Sequence, residues 1–394
     1  MYCFDRENEC KNVWQRFKNK ENILMLAPRR VGKTVLLDRL REMAQEEGFR
    51  AVSFDLEGFK EEKDFFRELC SAIQEEQNFG VNVLTSFCSR LGGLLKKGMD
   101  NPDGDWRKWL VQTEWQEFAS HLLAHLNDGK SETPWVILVD ELPIFVQSLR
   151  EKGDGSAAGT FLYWLRGMRQ KYSNIRWIYA GSIGLDSVAR RYKIEGALND
   201  LDIFTLKPFD EETAKGFICD IADRRCCSME KSALQMIVDR LGWLAPYYLK
   251  RIAEDACESA KAGKEPSGNG LSKLVKVSVG NKEAEKALDN MLMLEKRSYW
   301  SSWREHLDRN FTEPDRGQLY ALLETVAKNP DGVSKDVLIS ALVNPTEASL
   351  SNLLDILLTD GYLDKGLDGR FRFQMHLLRE WWLRYVVGEI GLRR

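Results

Sequence analysis

The chain has 394 residues, of which 43% are hydrophobic and 30% are charged, and its formal net charge is −3. This length predicts two or three domains, and the composition excludes a largely disordered chain. No run approaches the roughly 20 apolar residues that cross a bilayer. The N-terminus MYCFDRENEC has no apolar signal core, so we expect a cytoplasmic protein with no membrane contact. The 8 cysteines lack C-x-x-C spacing, which favours reduced thiols over a zinc site.

The first half of the chain alternates predicted strands and helices. Short apolar or alternating runs predict strands at 22–27, 50–59, 134–141, 173–182 and 202–209. Helical spacing follows the first two strands and precedes the third, at 35–48, 60–77 and 114–130. Residues 80–106 are rich in glycine and end in the turn cluster NPDGD, so we interpret them as an insertion with a basic helix and a loop. The alternation predicts an α/β fold with a parallel sheet covered on both faces.

From Asp210 onward the pattern is helical, with predicted helices at 210–225, 228–242 and 246–263 and a linker-like stretch at 264–270. A further helical run reaches Phe311. The final segment reads helix, turn, helix, helix and hairpin, with Gly361 ending the third helix and Gly369 turning the hairpin. That order predicts a C-terminal winged helix-turn-helix.

The stretch APRRVGKT carries most of the phosphate-binding pattern G-x-x-x-x-G-K-[ST], with Ala27 in place of the first glycine. An alanine is acceptable there if its φ is negative. A chance match at a helix start is the alternative, but the strand before the motif and the helix after it favour a real ATP site. Backbone N–H groups would then cradle the phosphates, and the predicted loop residues are Pro28, Arg29, Arg30, Val31, Gly32, Lys33, Thr34 and Val35.

Two acids end the third predicted strand in the stretch VILVDEL. Carboxylates at the carboxyl ends of parallel strands point into the ligand crevice. We therefore expect Asp140, together with the Thr34 hydroxyl, to hold Mg²⁺, and Glu141 to polarise the attacking water. The alternative is that both acids are ordinary charges at the start of a helix. Ser182, after the fourth strand, is predicted either as a γ-phosphate sensor or as a turn residue.

These segments resemble the AAA+ and STAND ATPases, particularly the prokaryotic proteins often called archaeal-type ATPases, over most of the chain. FDRENE resembles the G-R-x-x-E box of that family, with Asp5 in place of glycine, and TLKPFDEETA resembles its joint between core and lid. LGWLAPYYLKRIA resembles the glycine-to-proline motif of the lid, although the spacing from Gly242 departs from the shortest form. The resemblance implies that Arg6 lies near the adenine and that Pro246 packs near the base. Pro246 is also favourable simply as a helix-start proline.

The resemblance also implies a domain order, which we place at 1–209 for the P-loop ATPase core, 210–263 for the helical lid, 264–313 for a linker and connecting helices, and 314–394 for the winged helix. Members that hydrolyse ATP as rings use an arginine finger, and Arg190 follows the fourth strand where one is expected. STAND members generally lack the finger and act as switches. A pair of arginines such as Arg190 and Arg191 is otherwise typical of a solvated surface.

The winged helix could contact DNA or protein. Its third helix, EASLSNLLDILLTDG, has no lysine or arginine, which is unfavourable for insertion into a DNA groove. Its hairpin has Arg370 and Arg372, so DNA contact through the wing stays open while protein docking is favoured. The hypotheses are an Mg-ATP-dependent switch with a protein partner such as a nuclease or other effector, an origin-recognition- or loader-type ATPase gripping DNA near Lys96 and Lys97, and a nucleotide-binding scaffold without turnover. Nucleotide-dependent homo-oligomers are compatible with the first two.

Overall fold

The computed structural model describes residues 3–76, 80–95, 105–128, 133–151, 155–181, 185, 188–189, 193–262, 276–343 and 346–388. By their contacts the residues form two compact units. The first unit comprises Met1–Ala27 and Lys33–Leu206, and the second comprises Pro28–Gly32 and Lys207–Arg394. The finer division into lid, connecting helices and winged helix stays a prediction. Within these described ranges, no helix is both long and apolar enough to cross a membrane.

The first unit is built on a five-stranded sheet in the order β2-β3-β4-β1-β5, with every pair parallel. The parallel sheet and all five predicted strands are therefore confirmed. β3 and β4 are buried along their whole length, as their continuous apolar runs indicate. The strands are β1 (Asn22–Leu26), β2 (Arg50–Asp55), β3 (Trp135–Asp140), β4 (Ile175–Gly181) and β5 (Leu201–Thr205).

Helices flank this sheet, and a 3₁₀ turn at Glu195–Leu198 precedes β5. They are α1 (Glu7–Lys18), α2 (Lys33–Met43), α3 (Glu62–Glu75), α4 (Gly80–Leu95), α5 (Trp106–Gln112), α6 (Trp115–Asn127), α7 (Leu142–Arg150) and α8 (Ala157–Lys171). α4 lies in the predicted insertion and buries Leu84, Phe87 and Leu91 in the core of the unit. The predicted helix is present, and its inner face is apolar. Its status as an insertion stays a prediction.

The second unit is mainly helical. Its helices are α9 (Glu211–Arg224), α10 (Lys231–Leu241), α11 (Pro246–Ala262), α12 (Asn281–Asn290), α13 (Ser298–Asn310), α14 (Asp315–Lys328), α15 (Lys335–Ser340), α16 (Glu347–Thr359) and α17 (His376–Trp381), the last continuing as a π-helical turn through Val387. Two three-residue strands, β6 (Cys227–Met229) and β7 (Val277–Val279), pair in parallel. Three residues are too few for a period-2 pattern, so these strands could not be predicted from the sequence.

The C-terminal part of the second unit has the predicted order of helices α14 to α16 followed by a hairpin of β8 (Leu363–Lys365) and β9 (Phe371–Phe373). Val333, between α14 and α15, adds an antiparallel bridge to Phe371. Gly361 lies just beyond α16 with φ 81°, a left-handed backbone that glycine adopts readily. This unit buries four tryptophan side chains completely: Trp300, Trp303, Trp381 and Trp382.

The 8 cysteines are free thiols, and five of them are buried. Burial raises the pKa of Cys10 to about 12 and that of Cys88 to about 11. Thiolate is the reactive form of cysteine, so these thiols are chemically inert at neutral pH.

Candidate functional site

The phosphate-binding loop connects β1 to α2, which begins at Lys33. Its left-handed residues are Arg30, with φ 68°, and Gly32, with φ 96°, whereas Ala27 is not among the residues with positive φ. The condition for replacing the first glycine is therefore met. The first N–H groups of a helix have no partner within the helix and carry the positive end of its dipole. The start of α2 is thus suited to bind an anion.

Lys33 is the cation at this helix start, and both acids from the end of β3 surround it. Its Nζ lies 2.6 Å from Asp140 Oδ1 and also pairs with Glu141 Oε1. The lysine and the two acids are almost completely buried. Burial by itself would lower the pKa of Lys33, but the charges of Glu141 and Asp140 outweigh it, so the pKa is raised. The lysine is therefore held as a cation between two carboxylates.

Thr34 and Asp140 form a donor set that fits Mg²⁺. Thr34 Oγ1 donates to Asp140 Oδ2 at 3.1 Å, so a hydroxyl and a carboxylate oxygen lie side by side. Mg²⁺ is usually bound through one or two such oxygens plus waters and substrate phosphates. In the described part of the chain, no cluster of three or more His, Cys, Asp or Glu could hold a metal ion by itself. The two protein oxygens would leave the other positions of a bound Mg²⁺ to waters and to phosphate oxygens.

Glu141 has an unusual backbone, with φ 53° and ψ 29° directly before α7. A left-handed conformation costs a residue with a side chain about 1–3 kcal/mol and is concentrated at functional sites. Asp140 Oδ1 accepts a hydrogen bond of 2.8 Å from the Glu141 N–H, which ties the two acids together. The turn therefore fixes where the Glu141 carboxylate lies.

Gly181 is a residue of this site that the sequence reasoning missed. It ends β4, and a Cβ placed on it would lie 2.4 Å from Pro143 Cδ and 3.5 Å from Glu141 Oε2. Pro143 belongs to the first turn of α7, immediately after Glu141. The absence of a side chain at position 181 therefore lets the Glu141 turn approach β4. In the sequence the only signal was a glycine at a strand end.

Asp55 is a second residue that the sequence reasoning did not assign to the site. It ends β2 and is paired in register with Asp140, and its Oδ1 accepts from the Glu57 N–H at 2.6 Å. Partial burial is the largest cause that raises its pKa, and the charges of Asp140 and Glu141 raise it further. Three carboxylates therefore lie at the carboxyl ends of the neighbouring strands β2 and β3: those of Asp55, Asp140 and Glu141. A signal was available, since Asp55 is the first acid after the start of the predicted strand at 50–59, as Asp140 is in the predicted strand at 134–141.

The remaining predicted residues are placed as follows. Val31 is buried and Val35 is half-buried in the loop and in the first turn of α2. Arg6 is buried just before α1 and forms an ion pair of 2.5 Å with Glu9. Pro246 is the first residue of α11, so its helix-start role is confirmed and its role beside the base stays a prediction.

Five residues named in the predictions lie outside the described residues: Ser182, Arg190, Arg191, Lys96 and Lys97. The three other loop residues, Pro28, Arg29 and Arg30, group with the second unit. Arg29 hydrogen-bonds Ser302 and His306. Arg30 lies over the Tyr247 ring.

The parallel sheet, the loop between β1 and α2, and the acids that end β3 define a P-loop NTPase fold. Residues 15–188 match the family model AAA_22, described as an AAA domain. Over 96% of this chain and 95% of the other, the fold is similar to the Walker-type ATPase PABY2304 of Pyrococcus abyssi, with a TM-score of 0.64 and 16% identity. The family match covers residues 15–188, and at 16% identity the structural likeness is one of fold.

A second solved structure has a similar fold, the ORC2 protein of Aeropyrum pernix in its ADPNP–ADP complexes. The TM-score is 0.56 and the identity 13%, over 98% of this chain and 95% of that one. At this identity the likeness is one of fold alone. Comparison with the curated proteins gave no match.

Proposed function

We propose that the protein binds Mg-ATP, hydrolyses it, and signals its nucleotide state to a protein partner through its C-terminal region. The observation that carries the proposal is the placement of Lys33 at the start of α2 between Asp140 and Glu141. Phosphoryl-transfer sites use these groups: a cation, a helix N-terminus and two acids. The similar fold of the Aeropyrum pernix ORC2 structure in its ADPNP–ADP complexes supports an adenine nucleotide.

In the proposed reaction Lys33 exchanges a carboxylate contact for phosphate oxygens of the nucleotide. Glu141 then loses its cation and is free to orient the attacking water and accept its proton at Oε. Asp140 and Thr34 hold Mg²⁺, which neutralises charge on the phosphates when it is bound. While Lys33 pairs with Glu141, the carboxylate is neutralised; in this proposal the base becomes available when a phosphate draws the lysine away.

The test is phosphate release from ATP by the wild-type protein, measured across protein concentrations. Turnover in proportion to protein concentration supports the switch, and a steeper rise supports a homo-oligomer in which a neighbour contributes a residue such as Arg190. ATP binding with no phosphate release, with and without Mg²⁺, would contradict the hydrolysing switch and support the nucleotide-binding scaffold without turnover. Failure to bind ATP at all would overturn the proposal.

The C-terminal helices and hairpin are proposed to form the predicted winged helix. Three features support this: the order of α14 to α16, the β8–β9 hairpin, and the bridge from Val333 to Phe371. Protein docking is favoured over DNA because the hairpin arginines are already engaged. Arg372 pairs with Asp368 at 2.6 Å, and Arg370 donates to the Gly332 carbonyl at 3.2 Å.

We expect the double substitution Arg370→Ala and Arg372→Ala to leave duplex-DNA affinity unchanged within about twofold. The measurement is fluorescence anisotropy with a labelled duplex at several salt concentrations. If both arginines contacted phosphates, their loss would reduce the slope of log affinity against log salt by about 2. A slope change of that size would instead support the DNA-associated ATPase.

We expect Gly181→Ala to lower the rate of ATP hydrolysis by about 10²-fold, because displacing a catalytic group by about 1 Å has that cost. The new methyl group meets the Pro143 ring, so α7 and the Glu141 turn must shift. The measurement is kcat, with nucleotide affinity as the check that the site is still formed. Gly167→Ala in α8 is the matched control, since its Cβ would contact nothing within 4 Å. A Gly181→Ala protein with wild-type kcat would show that Glu141 needs no such placement.

A further inference from the structure

Arg29 of the phosphate-binding loop is held by α13. Its Nη1 donates to the Ser302 carbonyl at 3.2 Å, and its Nη2 lies 2.9 Å from His306 Nδ1. Only three residues separate Arg29 from Lys33 along the chain. The side chain of one arginine in the phosphate loop is therefore hydrogen-bonded to α13.

His306 also contacts a buried acid. Its Nε2 lies 2.8 Å from Asp360 Oδ2, and both residues are at most 2% exposed. A guanidinium has donors and no acceptor, so Nδ1 accepts from Arg29, and Asn310 Nδ2 lies 2.9 Å from the same nitrogen. The ring proton is then on Nε2 and is donated to Asp360. The positive Arg29 and the negative Asp360 consequently lie on opposite sides of one neutral imidazole.

The charge of Asp360 depends on this arrangement. Within the described residues, its Oδ1 is buried and has no hydrogen-bond partner. A buried carboxylate is costly unless it is paired or hydrogen-bonded. Here Asp360 contacts one nitrogen of the His306 ring, and the cation Arg29 contacts the other nitrogen. Moving Arg29 away would therefore destabilise the conformation in which Asp360 is buried.

Two further contacts hold the same loop within the second unit. Arg30 lies over the Tyr247 ring at 4.2 Å, and its Nη2 donates to Ser302 Oγ at 3.3 Å. Gly361 follows Asp360, and a Cβ placed on it would lie 3.2 Å from Pro28 Cβ. Residues from α11, α13 and the end of α16 thus touch the loop within this unit.

We propose that Arg29, His306 and Asp360 form a relay that reports occupation of the phosphate loop to α13 and α16, an inference that rests on the proposed function. A phosphate is a charged acceptor and binds a guanidinium more strongly than a neutral imidazole nitrogen does. When a nucleotide enters, Arg29 exchanges His306 for a phosphate oxygen. Asp360 loses its balancing cation, and the end of α16 rearranges. In this relay His306 and Asp360 are positioning residues.

The test is hydrogen–deuterium exchange of residues 298–310 and 347–362, with and without a non-hydrolysable ATP analogue. In the wild type the analogue should change exchange in both segments. Arg29→Gln should bind the analogue with at most about tenfold weaker affinity, since about one contact is lost, and should show no such change. Asp360→Asn, which removes the charge and keeps an acceptor for His306, should also lose the change in 347–362.

Arg309→Gln is the matched control, because Arg309 is on α13, the helix that contains His306, and its side chain is 70% exposed. It should retain the wild-type response. A response of wild-type size in Arg29→Gln would overturn the relay, as would a wild type that binds the analogue without any change in either segment. A wild type that binds no nucleotide, measured separately by calorimetry, would overturn the proposed function and the relay with it.

Discussion

Glu141→Gln is expected to bind Mg-ATP at least as tightly as the wild type and to release phosphate about 10²–10⁴-fold more slowly, the usual contribution of a general base. Glutamine keeps the shape of the side chain but cannot accept the proton of the attacking water. The measurements are single-turnover phosphate release and ATP affinity by calorimetry on the same protein.

The expected gain in affinity has an electrostatic cause. In the structure Glu141 competes with phosphate for Lys33, and its charge lies where the negatively charged phosphates would enter. Removing this charge weakens both effects, so binding should tighten while turnover falls. This pair of opposite changes distinguishes a catalytic base from a residue that only supports the fold, since unfolding would weaken binding as well.

Glu47→Gln is the matched control for this substitution. Glu47 pairs with Lys18 and lies beyond the opposite end of α2 from Lys33, so both its turnover and its affinity should stay at wild-type values. Equal phosphate release by Glu141→Gln and the wild type would exclude Glu141 as the base. Asp55, the other acid at this edge of the sheet, would then be the next candidate.

The sheet and the acids of the site could be predicted from the sequence because they depend on local pattern. A buried parallel strand reads as a continuous apolar run, as in WVILVD, and its end is marked by the first charged residue. The phosphate loop is likewise a contiguous motif. Strand, loop and helix follow each other within a few residues, so no knowledge of distant contacts was needed.

The roles of Gly181 and His306, by contrast, depend on contacts between positions far apart in the chain. Gly181 matters because it meets Pro143, 38 positions earlier, and His306 matters because it joins Arg29 to Asp360. Neither residue belongs to a motif. A histidine in a helix and a glycine after a strand are ordinary in any protein, and only the fold brings their partners together.

Lys33→Ala is expected to weaken ATP binding by about 2–5 kcal/mol, the usual cost of removing one partner of a buried charged pair. It should also lower the free energy of unfolding without nucleotide, because Asp140 and Glu141 are 4% and 8% exposed and would lose their cation. Breaking a buried ion pair typically costs about 3–5 kcal/mol. Calorimetric titration and urea unfolding measure the two effects separately.

Lys18→Ala is the control for both measurements, since Lys18 pairs with Glu47 at the surface and its side chain is 49% exposed. Such pairs contribute about 0–1 kcal/mol, so its stability and affinity should stay close to wild type. An equal loss of stability in both variants would show that Lys33 does not stabilise the buried acids.

The double variant Lys33→Ala, Glu141→Gln separates the two roles of the lysine. Removing the Glu141 charge leaves one buried carboxylate instead of two, so the double variant should be more stable than Lys33→Ala alone. It should not regain ATP binding, because no cation at the start of α2 is restored. Recovery of stability without recovery of binding would mean that Lys33 has two separate roles. It stabilises the fold by neutralising Asp140 and Glu141, and it binds ATP by exchanging these carboxylates for the phosphates.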